Sequence, residues 1–386
     1  RPVIAVVTTA RSDYGILRPV VRELHADADL SPYLIVGGGH MESRFGNTIE
    51  DIRREGFVVG AEVPMELTVD TPAGIARSMA RAIEGFAACF EARRPDVLVV
   101  LGDRFDMHAA ALAALPFNFA VAHIHGGELT YGAFDDALRH SLTKLSHLHF
   151  TATESYRDRV IQLGEEPWRV HATGGPGLDA VLNTPRWTDA ELEARIGMPL
   201  DPAPLLVTYH PVTRETDDTE RQIDTFLAAL GAMDMPVVIT GSNADTNNSV
   251  IRARIDAFVA AHERVGFVEN FGTAGYVTMM SRAAAMVGNS SSGIIEAASL
   301  DLPVVNVGNR QAGRVRGSNV IDVADDADAI AAAIRKAVSP EFKAGLAGMT
   351  NPYGDGQAAR RIVAHLKASI SDPRLLNKRF HDTVVN

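Results

Sequence analysis

Ionisable side chains follow two apolar runs in the first half of the sequence, where they could carry acid–base chemistry. Asp103 comes shortly after one run, and His125 and Glu128 come after the next. Asp135 then opens a segment with helical spacing. A cluster of carboxylates and histidine suits the transfer of protons to and from a bound substrate. We therefore predict that Asp103, His125, Glu128 and Asp135 form a catalytic group.

Part of this group has a simpler structural explanation. Acidic residues in the first turn of a helix are favoured by the helix dipole. Asp135 and Arg139, like Asp136 and His140, also have the i,i+4 spacing of helical ion pairs. That explanation accounts for one acidic pair and leaves the other ionisable residues unexplained.

Neither a metal nor an organic cofactor is predicted. His123, His125 and Glu128 contain suitable metal-ligand types, but the histidines alternate with Ile124 along a predicted strand and no further ligand pattern accompanies them. The first predicted strand is not followed by GxGxxG, and GxxxxGK[ST] is absent from the sequence. The dinucleotide fingerprint and the P-loop are therefore excluded.

The second half carries a candidate phosphate site. Ser290, Ser291 and Ser292 stand between two glycines, after an apolar run and before a helical segment. Hydroxyl residues at a helix N-terminus offer N–H and O–H donors to an anion, and Glu296 is placed to accept both hydroxyl protons of a ribose. The alternative is a serine-rich cap in which Glu296 closes a capping box. Three serines exceed what a cap needs, so we predict a phosphate site.

Basic residues follow other apolar runs. Arg310 and Arg314 come after the next run and place positive charge near the same edge; a solvated charge cluster is the alternative. Arg11 follows the first run, where it could hold a phosphate. On this feature alone we favour a helix-entry loop with Ser12 or Asp13 as the N-cap.

Three further residues extend the candidate site. Arg104 follows Asp103 directly, at the end of the same run. His210 ends the first apolar run of the second half, where it could bind a diphosphate or a leaving oxygen, although a lone histidine there is usually structural. Asn243 lies in the loop after the following run.

The elements that position these residues alternate along the whole chain. Short β-branched runs and Ala- and Leu-rich helical segments follow one another, which predicts parallel sheets with right-handed crossovers and helices on both faces. Ligands of such sheets bind beyond the carboxyl ends of the strands. The predicted strands are 3–8, 33–37, 97–101, 119–124, 148–153, 169–172, 205–209, 236–240, 265–268, 285–288, 303–307 and 320–323. The clearest helical segments are 17–26, 73–92 and 135–145.

The length of 386 residues indicates two domains at roughly 150 residues per domain. A glycine- and proline-rich cluster at 173–177 favours a boundary there, with domains at 1–175 and 176–352. The helical tail within 353–386 is expected to cross back to the first domain. The predicted fold class is α/β, with two Rossmann-like, doubly wound domains facing each other across a cleft.

Composition excludes several classes of protein. The net charge of −11 argues against binding nucleic acid or an anionic membrane surface. One cysteine, Cys89, permits neither an internal disulfide nor a thiolate zinc site. The sequence lacks an uninterrupted apolar run of about twenty residues and a signal-peptide pattern, so we expect a cytoplasmic protein.

Taken together, the motifs resemble those of the hydrolysing UDP-N-acetylglucosamine 2-epimerases of sialic acid biosynthesis over nearly the whole chain. Their order and spacing are more specific than any one of them. The motifs that carry the resemblance are TARSDYG, LGDRFD, HIHGGE, DDALRHSLTKLSHLHF, YHPVT, GSNADT, GNSSSGIIE and GNRQAGRVRG.

The resemblance implies a glycosyltransferase B type of fold and a homodimer or homotetramer. It implies conversion of UDP-N-acetylglucosamine and water to N-acetylmannosamine and UDP, through elimination to a glycal, without metal or nicotinamide. The same chemistry on UDP-2,4-diacetamido-2,4,6-trideoxyglucose, on a legionaminic acid route, is the alternative. A third possibility is a non-catalytic nucleotide-sugar sensor.

By motif match, one set of residues would bind the nucleotide diphosphate: Arg11, Arg104, Asn243, Ser290, Ser291, Glu296 and Arg310. Asp103, Glu128, Asp135 and His210 would surround the reacting sugar. Some relatives carry Glu where this chain has His125, so the base that removes the C2 proton stays open among His125, Glu128 and Asp135.

Overall fold

The computed structural model describes residues 1–43, 48–65, 71–130, 134–210, 219–241 and 248–382. The chain divides into two compact units, one of residues 1–180 and 353–386 and the other of residues 181–352. Each unit is built on its own parallel sheet. The predicted α/β class with parallel, doubly wound sheets is therefore confirmed.

The first unit contains a seven-stranded sheet in the order β3-β2-β1-β4-β5-β6-β7. Its central strands are continuous apolar runs, as expected where helices cover both faces. The strands are β1 Val3–Thr8, β2 Ser31–Gly37, β3 Val59–Val63, β4 Val97–Leu101, β5 Ala120–Ile124, β6 Leu148–Thr151 and β7 Val170–Ala172. The helices are α1 Arg11–Ala26, α2 Ile49–Arg54, α3 Pro72–Ala92, α4 Phe105–Ala114, α5 Asp135–Leu145, α6 Glu154–Gln162, α7 Pro176–Leu182 (whose last two residues belong to the second unit) and, near the end of the chain, α15 Ala358–Ser369.

The second unit contains a six-stranded sheet in the order β10-β9-β8-β11-β12-β13. The strands are β8 Leu205–Thr208, β9 Val237–Thr240, β10 Val265–Val268, β11 Ala285–Gly288, β12 Val304–Val307 and β13 Val320–Val323. The helices are α8 Asp189–Ile196, α9 Thr219–Gly231, α10 Asn248–Ala261, α11 Gly272–Arg282, α12 Ser291–Ile295, α13 Ala327–Val338 and α14 Pro340–Ala344.

The strand order reverses once in each sheet. In the first unit β1 lies beside β4, and in the second β8 lies beside β11. The crossovers that leave such a pair run to opposite faces, so their loops separate and leave a crevice at the carboxyl ends of the strands. These two switch points are where a ligand of each unit is expected.

Several predicted boundaries need correction. The first helix begins at Arg11 rather than residue 17, and Ala10, not Ser12 or Asp13, is its N-cap, without a side-chain cap. Strand β3 was missed because its sequence, VGAEV, contains Gly and Glu and alternates partly buried with exposed residues at the sheet edge. Several other strands are one or two residues shorter than predicted.

The C-terminal helix packs within the first unit. Ile362 and Leu366 of α15 are fully buried in the same core as Leu17 and Leu24 of α1. The amphipathic pattern of the tail therefore reflects packing against the first sheet's helices.

A substitution at Gly288, at the end of β11, tests how closely β8 and β11 approach each other at the second switch point. Its φ is +140°, and a Cβ there would lie 2.0 Å from the Thr208 carbonyl oxygen. We expect Gly288→Ala to lower the free energy of unfolding by more than about 3 kcal/mol. Chemical denaturation measures this.

Gly272→Ala is the matched control for that experiment. Gly272 has φ +65°, but a Cβ there would meet no atom within 4 Å. It should therefore show only the backbone cost, about 1 kcal/mol. Equal destabilisation by the two variants would contradict the close approach of β8 and β11.

Candidate active site

The loop after β4 places Asp103 at the first switch point. Gly102 turns the chain with φ +72°, a conformation that favours glycine, and its N–H donates to the Ile124 carbonyl at 2.9 Å. The His123 Nε2 lies 2.8 Å from the Gly102 carbonyl oxygen. Burial lowers the pKa of His123 to about 3, so its ring is neutral and serves to hold this turn.

Arg139, on α5, connects the predicted catalytic residues. Its guanidinium donates to the Asp103 carboxylate, to the His125 carbonyl oxygen at 2.8 Å and to the Thr130 hydroxyl at 3.2 Å. A Glu128 oxygen lies 3.9 Å from it. Arg139 is almost fully buried, so these charged groups are held in one cluster.

His125 and Glu128 form a close pair in the loop after β5. The His125 Nδ1 donates to the Glu128 Oε1 at 2.5 Å. His125 has φ +66°, a left-handed conformation that is costly for a residue with a side chain. Strain of this kind is found where the position of a side chain matters more than local stability, and it directs attention to the imidazole.

Asp135 lies at the start of α5, as predicted, but does not form the expected ion pair. Within the described residues Arg139 pairs with Asp103 and Glu128 rather than with Asp135. Burial, and then the nearby Asp103 carboxylate, raise the pKa of Asp135. The other predicted pair does form, with His140 Nε2 3.4 Å from Asp136.

Arg11 and Arg104 lie at the same switch point. Arg11 is exposed at the first position of α1, three residues after the end of β1. Arg104 is the N-cap residue of α4, and its guanidinium lies between two carboxylates, those of Asp106 and Asp13. The first unit thus combines a cluster suited to proton transfer with arginines suited to an anion.

Asn289 joins the loops at the second switch point by hydrogen bonds. Its side chain accepts from the His210 N–H at 2.7 Å and donates to the His210 carbonyl at 2.8 Å. Its own carbonyl oxygen accepts from Arg310 Nη1 at 3.2 Å and from Gln311 Nε2 at 2.9 Å. The loops after β8, β11 and β12 are therefore bound together.

The three serines begin a short helix on this framework. Ser290 is the N-cap of α12, and its hydroxyl accepts from the Ser292 N–H at 3.3 Å. Glu296 is the C-cap of the five-residue α12, so the alternative of a capping box closed by Glu296 is wrong. The N3 position is Gly293, which cannot close a box.

Glu296 and Tyr276 extend this cluster. The Tyr276 hydroxyl faces the hydroxyls of Thr208, Ser290 and Ser292. One oxygen of Glu296 is buried without a hydrogen-bond partner among the described residues. Burial raises the pKa of Glu296 to about 7, opposed by the Ser292 hydroxyl and more weakly by Arg314. An acceptor without a donor suits a ligand that brings hydroxyl groups.

Two further residues, Arg314 and Asn243, are predicted to bind the substrate. Arg314 lies close enough to Glu296 to act on its charge, and its carbonyl accepts from Arg316 at 2.6 Å. Asn243 lies outside the described residues.

No group of three or more His, Cys, Asp or Glu side chains that could hold a metal ion occurs in the described part of the chain. None of its helices is long and apolar enough to cross a membrane.

Sequence reasoning missed Tyr276 and gave Arg139 the wrong partner. Tyr276 lies within α11, away from any strand end, so the rule that points to strand termini could not find it. Arg139 has helical spacing from Asp135, which favoured a local ion pair over the longer contact with Asp103. Only the folded chain shows that contact.

The model of the UDP-N-acetylglucosamine 2-epimerase family matches residues 22–367. The chain belongs to this family. It is 36% identical to UDP-N,N'-diacetylbacillosamine 2-epimerase (hydrolyzing) of Legionella pneumophila, over 97% of this chain and 98% of that protein. It is 35% identical to GDP/UDP-N,N'-diacetylbacillosamine 2-epimerase (hydrolyzing) of Campylobacter jejuni, over 98% of each.

Solved structures share the fold. The UDP-GlcNAc 2-epimerase of Neisseria meningitidis, in a crystal structure with UDP-GlcNAc bound, matches with a TM-score of 0.78 at 21% identity, covering 95% of this chain and 100% of that one. This likeness confirms the predicted glycosyltransferase B type of fold for this family member.

Arg139→Lys tests whether the guanidinium organises the acid–base cluster. Lysine keeps the charge but cannot reach Asp103, Thr130 and the His125 carbonyl together. We expect turnover of the nucleotide sugar to fall at least about tenfold, with a stability loss of about 1–3 kcal/mol. Steady-state kinetics and chemical denaturation measure the two effects.

Arg282→Lys is the control, because Arg282 makes a two-pronged pair with Asp189 on the exposed surface. It should leave turnover unchanged. If Arg139→Lys turned over the substrate at the wild-type rate, the contacts of the Arg139 guanidinium would not be needed for the reaction.

Glu296 gives a pH dependence whose sign follows from its raised pKa. Below the value of about 7 the free protein holds a proton on Glu296, and the protonated form loses an acceptor for a ribose hydroxyl. UDP affinity should therefore rise as the pH rises through this range. Calorimetry across the range, in wild type and Glu296→Gln, measures it.

The glutamine variant separates this effect from the titration of UDP itself, which both proteins share. We expect Glu296→Gln to bind UDP more weakly and to lose the component of the pH dependence due to Glu296. Parallel pH profiles in the two proteins would show that Glu296 does not accept from the nucleotide.

Proposed function

We propose that the protein is a hydrolysing 2-epimerase of UDP-N,N'-diacetylbacillosamine, which is UDP-2,4-diacetamido-2,4,6-trideoxyglucose. The observation that carries the reaction type is the cluster of Asp103, His125, Glu128 and Arg139, in which Glu128 and Arg139 are buried and the other two side chains are partly exposed. The names of the two relatives above, which align end to end with this chain, support the substrate.

This substrate replaces the first expectation from sequence, UDP-N-acetylglucosamine. Both compounds carry the acetamido group at C2 and the UDP at C1, so the acid–base cluster serves either. The relatives at 36% and 35% identity favour the diacetamido sugar. UDP-N-acetylglucosamine, named for the family and for a structural neighbour at 21% identity, is the competing substrate.

The cluster at the second switch point would bind the nucleotide. Ser290, Ser291 and Ser292 offer hydroxyl and N–H donors to the diphosphate, and Arg310 adds positive charge beside them. These donors gain most when UDP departs, because its charge is then greatest. Glu296 would accept from the ribose hydroxyls.

The cluster at the first switch point would move the protons. The C2 proton is removed as the C1–oxygen bond to UDP breaks, and the product is a glycal. Water then adds its oxygen to C1, and C2 takes a proton on the opposite face, which gives the manno sugar. The carbon skeleton has no net change in oxidation state, so the reaction requires neither oxidant nor reductant.

His125 is the best-placed base in this cluster. Its Nδ1–H is bound by Glu128, which leaves Nε2 as the acceptor and stabilises the imidazolium once it forms. Arg139 donates to the backbone carbonyl oxygen of His125 and so holds the loop that carries the imidazole. Asp135, with its raised pKa, is suited to exchange a proton on the other side of the sugar.

Turnover in heavy water tests the reaction and the substrate together. We expect the free sugar released from UDP-N,N'-diacetylbacillosamine to be the manno isomer with deuterium at C2, detected by NMR. The diacetamido substrate should have a kcat/KM at least about tenfold above that of UDP-N-acetylglucosamine, which carries a hydroxyl in place of the acetamido group at C4 and an additional hydroxyl at C6.

Other outcomes have distinct meanings. A gluco product that keeps its C2 proton indicates direct hydrolysis, and the absence of any free sugar from either substrate indicates a sensor. A higher kcat/KM for UDP-N-acetylglucosamine would assign that substrate instead. His125→Gln should abolish deuterium incorporation, whereas His262→Gln, at an exposed position in the second unit, should not alter it.

A further inference from the structure

Arg104 is held by a carboxylate that sequence reasoning did not place in the site. Asp106, in the first turn of α4, is fully buried. Its Oδ2 accepts from Arg104 Nη2 at 2.9 Å, and both of its oxygens lie 3.3 Å from Arg104 Nε. Two adjacent donors of the guanidinium are therefore fixed by one carboxylate.

A second carboxylate supports the other side of this contact. The Asp13 Oδ2 lies 3.7 Å from Arg104 Nε and accepts from the Thr9 hydroxyl at 2.8 Å. Burial, and then the charge of Asp106, raise the pKa of Asp13 to about 6. Asp106 and Asp13 together bring more negative charge than one guanidinium neutralises.

The third nitrogen of the Arg104 guanidinium, Nη1, makes no hydrogen bond within the described residues. The side chain as a whole is 38% exposed. Arg104 stands three positions after β4 and Asp13 lies in the first turn of α1, which follows β1, so this nitrogen lies at the first switch point. Nη1 is therefore available to a ligand that binds at this switch point.

We propose that Asp106 is a positioning residue, which holds Arg104 so that its free donor meets an oxygen of the substrate's diphosphate. This inference rests on the proposed function, since it takes the ligand to be a nucleotide diphosphate. The clamp matters because a free arginine side chain samples many rotamers, and fixing it on binding costs affinity. Asp106 removes that cost before the substrate arrives.

A double-mutant cycle on UDP binding tests the proposal. Arg104→Ala and Asp106→Asn should each weaken UDP binding by at least about tenfold, measured by calorimetry. Because Asp106 acts through Arg104, the double variant should bind UDP within about threefold of Arg104→Ala. A merely structural role would not produce this coupling, since its effect would multiply with that of Arg104→Ala.

Asp51→Asn is the matched control, because Asp51 pairs with Arg54 on the exposed face of α2. It should bind UDP as the wild type does. Two results would overturn the proposal: UDP affinity of Asp106→Asn within about threefold of the wild type, or fully multiplicative effects in the double variant.

A second variant keeps the test decisive if Asp106→Asn does not fold. Arg104→Lys retains a charge beside Asp106 but lacks the planar fork whose Nη1 is available to a ligand. It should bind UDP at least about tenfold more weakly than the wild type. Wild-type affinity in Arg104→Lys would show that a point charge suffices, which contradicts positioning by Asp106.

The proposed function and this inference fail in different ways. A wild-type protein that binds UDP with the expected coupling but releases no sugar would refute the epimerase and retain the clamp. A wild-type protein that releases deuterated sugar, with no coupling between Arg104 and Asp106 in the double-mutant cycle, would support the epimerase and refute the clamp. Absence of UDP binding by the wild type would overturn both.

Discussion

The reversal of strand order in each sheet is the constraint on which the candidate site depends. Neighbouring strands β1 and β4 send their crossovers to opposite faces, and β8 and β11 do the same in the second unit. The loops that diverge there cannot be covered by a crossover helix, so polar groups placed in them keep access to a ligand. Nearly every residue of the two clusters lies in a loop or a first helical turn that follows these strands or their neighbours β5 and β12.

A protein with a net charge of −11 that binds a diphosphate needs local rather than global attraction. Charges on distant surfaces are screened within about 10 Å at 0.1 M salt, whereas contacts inside a crevice are screened much less. The arginines of the site act over that short range. Both Arg139 and Arg104 are paired with carboxylates, which fixes the geometry of their guanidinium groups and lowers the cost of burying Arg139.

The sequence predicts the architecture well because parallel strands buried on both faces are continuous apolar runs. Strand β4, with the sequence VLVVL, is such a run, and all five of its residues are buried. The edge strand β3 lacks that signal, because only its last residue is fully buried. A residue that stands just beyond a strand, as Asp103 stands two positions after β4, could be placed at the sheet edge from the sequence.

The same reasoning fails for contacts that depend on tertiary distance. Tyr276 comes from the body of a helix, and the pairing of Arg139 with Asp103 joins residues 36 positions apart. Asp106 has the pattern of an ordinary first-turn acid, since the helix dipole alone would favour it. Its full burial and its hold on Arg104 come from packing that no local pattern encodes.

Buried charged groups in this protein differ in how many hydrogen-bond donors they have. This difference distinguishes a network that holds the fold together from the carboxyls of the candidate site. Glu165, at the opposite end of the first sheet, accepts from Lys144 at 2.6 Å, Lys378 at 2.8 Å and His149 at 2.9 Å. Burial alone would raise the pKa of Glu165, but these donors lower it to about 2. This buried carboxylate therefore has three donors, and through Lys378 it ties the C-terminal segment to the first unit.

The carboxyls at the switch points show the contrary pattern. Asp13 and Glu296 have pKa values raised to about 6 and about 7, because burial is not matched by enough nearby donors. An incompletely satisfied acceptor is costly to the folded protein. A ligand that supplies hydroxyl donors recovers that cost. We therefore expect the carboxyls at the switch points, rather than Glu165, to gain most from a bound ligand.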